Sequence, residues 1–119
     1  MDFTETVFEA VEEAGLDTDS VNFIYVFGSY LDDPESANDI DICVSLEVEE
    51  PEKAEYRLKG RVPEKVDISV FEALPLQVRK EVLSGKLIHK KGDKVYDKAY
   101  ETIREFESYE RLYKTAIGA

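Results

Sequence analysis

The sequence predicts an α+β domain, a two-layer α/β arrangement in which helices pack on one face of a mixed β-sheet. Two observations predict it. Three apolar runs with strand character, Asn22 to Phe27, Asn38 to Leu46 and Val66 to Phe71, are separated by polar stretches. Three other segments, 3–14, 74–84 and 94–117, carry apolar residues at steps of three and four, the spacing of a helix with one buried side. A chain of 119 residues can bury a real core but has no room for a second substrate domain, so residues 1–119 form one domain.

In the first helix, Phe3, Val7, Ala10, Val11 and Ala14 share one side, and Glu5, Glu9, Glu12 and Glu13 occupy the rest. Asp2 or Thr4 is placed to cap it and Gly15 to end it. The run Asn22 to Phe27 is apolar on both faces, which suits a strand interior to the sheet. After Gly28-Ser29 come a helical turn, Tyr30 to Asp33, and a loop, Pro34 to Asn38. The long polar excursion between Leu46 and Val66, acidic and then basic, reads as a surface loop or short helix. In VDISVF, Val66, Ile68 and Val70 share one face, and Asp67, Ser69 and Phe71 the other. Leu74 to Ser84 is a helix with Pro75 in its first turn and Gly85 as its stop; Lys86 to Lys90 is a short strand. The last helix, Lys94 to Ile117, is long for so small a domain. Its apolar stripe either packs on the core or in part meets a partner or a second copy.

Composition narrows the function classes. With 43% hydrophobic and 35% charged residues and no apolar run near about 18 to 20 residues, the expectation is a cytoplasmic protein without a membrane span. A net charge of -12 repels a long polyanion, so nucleic acid is not an expected partner. A nucleoside triphosphate differs, because it arrives with Mg²⁺ and clustered carboxylates favour that ion. The single cysteine, Cys43, reads as a small core residue, and His89, the single histidine, as a surface residue.

The functional signal lies in Ile24 to Val44, with one residue from outside it. An apolar run ends at Gly28-Ser29, and the next strand begins with Asp39 and Asp41, one residue apart and therefore on one face. Asp67 stands at matching parity on a later strand, where an unpaired acid is costly to bury. The bland alternatives are a solvated strand edge for the pair and an ion pair of Asp67 with Lys65 or Arg57.

Strand, Gly-Ser, a spacer near ten residues, Asp-x-Asp and a third acid on a later strand resemble the signature of the DNA polymerase beta-like nucleotidyltransferase superfamily. The short length resembles its minimal nucleotidyltransferases (MNT), partners of helical HEPN proteins, including the antitoxins of HEPN/MNT toxin-antitoxin pairs. The resemblance implies a nucleotidyltransferase fold and a Mg²⁺-dependent transfer of a nucleoside monophosphate, AMP from ATP, to a hydroxyl on a HEPN-type partner. Catalysis and metal binding would fall to Asp39, Asp41 and Asp67, with two Mg²⁺ ions when nucleotide is bound. Asp67 would accept a proton from the attacking hydroxyl or orient it. Gly28 would let the backbone approach a phosphate, Ser29 would offer hydroxyl and amide to its oxygens, and Tyr30 would stack on the base or pack. Many relatives carry an Arg soon after Gly-Ser, where this chain has Tyr30-Leu31-Asp32-Asp33. That departure feeds an alternative from another class, a binding module of the same fold that docks its partner without catalysis. A third reading, transfer to a small molecule, lacks the added helical domain that such enzymes usually have.

Overall fold

Why β1 (Val21–Phe27) sits where it does follows from its side chains: six of its seven residues are buried, so both of its faces need cover. The computed structural model describes residues 2–118 and supplies that cover. β1 pairs antiparallel with β2 (Ile40–Leu46) on one side and with β4 (Lys86–Lys90) on the other; β3 (Val66–Val70) joins β2 in parallel, giving the order β3-β2-β1-β4. The mixed sheet and the α+β class are therefore as the sequence predicts.

The helices, expected on one face, divide between both. On one face α1 (Phe3–Glu13) and α3 (Pro51–Lys59) bring Val7, Val11 and Leu58 onto Ile24, Ile42, Val44 and Ile68. On the other, α4 (Leu76–Leu83) and α5 (Lys94–Ala116) bring Val82 and Val95 onto Phe23, Tyr25 and Cys43. A strand apolar on both sides requires this, since a single helical layer leaves half of β1 in water.

Local chemistry sets the element ends. The Asp2 carboxylate accepts from the Thr4 and Glu5 amides at 3.0 and 3.3 Å and caps α1, and Gly15 ends that helix with φ +75°. On the outer edge of β3, the Glu55 carboxylate accepts from the Val70 amide at 3.0 Å, which satisfies a donor that no strand pairs.

One polar cluster ties the second face together. The Glu72 carboxylate accepts from the Ser45 hydroxyl at 2.5 Å and the Leu46 amide at 2.9 Å, and pairs with Lys98 of α5 at 2.7 Å. Ser45 is fully buried, and the Asn22 amide group donates to it at 3.2 Å. Glu72→Ala removes the acceptor of two buried donors and one partner of a half-buried ion pair. The expected loss is about 2 to 3 kcal/mol, read as a lower urea midpoint at unchanged slope.

Candidate active site

β2 is the centre of the site because it lies between β1 and β3. Its Asp41 stands beside Phe27 of β1 and Asp67 of β3 in register, so two carboxylates occupy neighbouring positions on adjacent strands. Both share the parity of Cys43, which places them on the sheet face that α4 and α5 cover. Asp39, expected inside the strand, precedes its first residue and is exposed; the Ile40 amide donates to the Lys65 carbonyl at 2.8 Å and starts the strand one residue later. Asp67 is also exposed, and Asp41 is half-buried.

These charges are uncompensated. Among the described residues no Lys or Arg lies within ion-pair distance of Asp39, Asp41 or Asp67, so the Lys65 or Arg57 pairing considered for Asp67 does not form. Burial raises the pKa of the Asp41 carboxyl above the usual carboxylate value, and the charges of Asp67, Asp39 and Glu81 raise it further. Glu81, from the last turn of α4, is a fourth acid here. No spacing in the sequence points to it, because a helix from the other end of the chain carries it in.

The Gly28-Ser29 turn is built against this charge. Gly28 has φ +82° and ψ -163°, a conformation that side-chain-bearing residues rarely adopt, and a methyl group in place of its hydrogen would run into the Asp41 Oδ2 atom. The glycine is thus what allows turn and carboxylate to touch. It opens α2 (Ser29–Asp32), whose Leu31 amide donates back to the Gly28 carbonyl at 3.2 Å and which has no side-chain cap. The spacer that follows is stapled: the Ser36 hydroxyl donates to Asp33 at 2.6 Å and, with the Ser36 and Glu35 amides, holds that carboxyl below its usual range.

A cleft of ≈ 300 Å³ runs beside the turn, lined by Phe27, Gly28, Ser29 and Leu31 on one wall and Glu81, Ser84 and Gly85 on the other. Asp41, against Gly28, adjoins it, and none of Asp39, Asp41 and Asp67 belongs to its lining. Another cleft, ≈ 340 Å³ between Leu16, Val48 and α3, lies elsewhere and shares no residue with this group.

Tyr30 points away from the cleft. Its ring packs edge-on against Phe3 at 5.7 Å, on the α1 side of the sheet. Packing, the alternative considered for it, is its place in this structure. His89 is likewise a packing residue, edge-on to Phe8 at 5.1 Å, and Cys43 is buried with its thiol pKa pushed up by that burial, so it stays protonated and inert.

Whether these acids suit a metal is a matter of donors and convergence. Hard carboxylate oxygens with no protein cation fit Mg²⁺. Among the described residues no three such side chains converge on a single ion position. Asp41 is fixed by its burial and its contact with Gly28, whereas the exposed Asp39 and Asp67 are free to rotate towards an ion.

A glycine-led turn abutting acids on two adjacent strands of a mixed α+β sheet defines a nucleotidyltransferase-type domain. The polymerase beta nucleotidyltransferase family matches residues 9–94, more than half of the chain, and the protein belongs to that family. No curated protein matches it significantly. Among solved structures, a toxin-antitoxin complex with AMP-PNP is 19% identical, covers 95% of this chain and 93% of its own, and has a TM-score of 0.70. The tri-AMPylated Shewanella oneidensis HEPN toxin in complex with MNT antitoxin is 20% identical, with 92% of both chains covered and a TM-score of 0.60. An MntA–HpeT toxin-antitoxin mutant is 18% identical, with 95% and 93% covered and a TM-score of 0.70. At these identities the likeness is one of fold. No helix among the described residues is long and apolar enough to cross a membrane.

Proposed function

We propose that this protein is a minimal nucleotidyltransferase that moves AMP from ATP to a hydroxyl on a helical HEPN-type partner in the cytoplasm. The observation that carries the reading is the contact of Gly28 with Asp41, which joins a phosphate-approach turn to an uncompensated carboxylate beside Asp67. The family supports the reaction type. The tri-AMPylated HEPN toxin bound to an MNT antitoxin supports the acceptor, and the AMP-PNP complex supports the nucleotide.

Asp39, Asp41 and Asp67 would hold Mg²⁺, which when bound neutralises triphosphate charge and polarises the reacting phosphate. The Ser29 hydroxyl and amide hold phosphate oxygens and orient them. The acceptor oxygen bonds to the α-phosphorus as the bond from that phosphorus to the bridging oxygen breaks, and pyrophosphate leaves. Asp67 accepts the hydroxyl proton or orients the hydroxyl for attack. Purified chain incubated with α-labelled ATP, Mg²⁺ and the product of the adjacent gene should leave label on that product. Unlabelled product under these conditions would reject the proposal.

A second reading has its own observation. The cleft beside Gly28-Ser29 is lined by Asp32 and Glu81 and by no Lys or Arg, which opposes tight triphosphate binding. A binding module of the same fold, docking its partner without transfer, would give co-elution and no label.

A further inference from the structure

The far wall of the Gly28-Ser29 cleft carries a carboxylate that no cation answers. α4 ends in a turn in which the Ser84 amide and hydroxyl both donate to the Glu81 carbonyl, at 3.1 and 2.7 Å, and Gly85 follows. A methyl group on Gly85 would run into the Val26 carbonyl and the Phe27 side chain, so this glycine lets the end of α4 lie directly on the end of β1. Phe27 leads straight into Gly28-Ser29. The last turn of α4 is thereby held across the cleft from the phosphate turn, and Glu81 lines the cleft there.

The cations nearest to Glu81 along the chain are turned away from it. Arg79 donates to the Leu74 carbonyl at 2.9 Å and lies over the Phe71 ring, and the Lys80 ammonium sits 3.9 Å from the centre of the Phe106 ring. Lys86 shares strand parity with Ile88, which packs on the α1 side of the sheet, opposite Asp41. Glu81 makes no ion pair among the described residues, and its charge reaches Asp41, whose carboxyl it helps to hold above the usual pKa. Asp32 adds an anion on the near wall. Repulsion from such a wall scales with the charge that enters. A free nucleoside triphosphate carries about four negative charges and Mg²⁺ cancels about two of them, so the metal complex meets about half the repulsion.

We infer that Glu81 is a specificity-determining residue that excludes metal-free triphosphates from the Gly28-Ser29 cleft and admits a nucleoside triphosphate only as its divalent-metal complex. The inference rests on the proposed function for the ligand. The test is calorimetric titration of the full chain at low ionic strength with ATP, once in excess Mg²⁺ and once in EDTA, and with inorganic triphosphate in EDTA. Glu81 is exposed, so Glu81→Gln and Glu81→Arg should fold as wild type does. Glu81→Gln should raise affinity for metal-free ATP about 10-fold and for Mg²⁺-ATP about 3-fold, the square-root relation that half the ligand charge dictates. Glu81→Arg should raise metal-free affinity at least about 30-fold, with inorganic triphosphate following ATP, and salt should shrink both gains. Glu81→Asp should match wild type. Glu9→Gln removes the same charge from the exposed surface of α1, on the other side of the sheet, and should leave both affinities within about twofold. Metal-free affinity within about twofold of wild type in both Gln and Arg variants, undetected binding in all three proteins included, overturns the inference. So does an equal gain with and without Mg²⁺, a loss of Mg²⁺-ATP affinity in Glu81→Gln, which would make Glu81 a metal ligand instead, or failure of wild type to bind Mg²⁺-ATP. The expected split in affinity without any label on the partner protein rejects the transfer reading and leaves the role of Glu81 standing; label that moves normally while the split is absent does the reverse.

Discussion

Asp39→Asn and Asp41→Asn each lower transfer of labelled AMP to the partner at least about 10³-fold, about 4 kcal/mol of transition-state stabilisation. The size of the loss follows from the charge count. The amide keeps the shape of the side chain but removes one of the few anions available to a divalent ion, and no neighbouring residue can replace it except Asp67 on the adjacent strand and the helix-borne Glu81. The same change at Asp41 has the opposite effect on the fold. Its carboxyl has a raised pKa through burial and through Asp67, Asp39 and Glu81, so the folded state holds that proton more tightly than the unfolded chain does. Stability from this group is therefore lost as pH rises from the unfolded to the folded pKa, and at neutral pH its charge is a penalty. Metal-free Asp41→Asn should melt above metal-free wild type at pH 7, with the gap closing at acid pH. Millimolar Mg²⁺ should raise the melting temperature of wild type more than that of the variant. Thermal melts with and without Mg²⁺ check both signs; an Asp41→Asn variant that transfers AMP normally would end the metal reading.

The pairing of Asp41 with Asp67 was legible because strand parity is a local property. VDISVF and DIDICV alternate cleanly, and both acids fall on the face opposite Ile42 and Ile68 in the folded sheet. Gly28-Ser29 was legible as a turn, but its reason was not, since the contact with Asp41 spans thirteen residues and depends on strand pairing. Tyr30 shows the limit of motif position. One helical turn decides whether its ring meets the cleft or Phe3, and α1 offers the apolar surface. Asp39 fell outside β2 because the Lys65 carbonyl sets where pairing begins, and Lys65 is far along the chain. Glu72 and Glu81 carried no signal for a related reason: an acid on a helix reads as solvated until the fold shows what it faces. In α5 the periodicity was right throughout. Every residue from Glu107 to Gly118 is exposed all the same, because the length of a helix says nothing about the size of the surface beneath it.

Gly28→Ala tests the contact on which the site is built. Two costs add. An alanine at φ +82° and ψ -163° carries about 1 to 3 kcal/mol of backbone strain, and its methyl group must displace the Asp41 carboxylate. The carboxylate is on a central strand between Phe27 and Asp67, so it can move only by changing rotamer away from the turn. The expected result is a fold weakened by about 2 to 4 kcal/mol and AMP transfer lowered by at least about 10²-fold, since about 2.7 kcal/mol of positioning is lost with the contact. Gly60→Ala is the control. Gly60 has φ -84°, and a methyl group there meets nothing within 4 Å, so the substitution should leave stability within about 0.5 kcal/mol or raise it slightly, with transfer unchanged. Urea melts and single-turnover transfer on the two variants separate a general dislike of alanine from a specific demand at the turn. A Gly28→Ala protein as stable and as active as Gly60→Ala would mean that turn and carboxylate do not work as one unit.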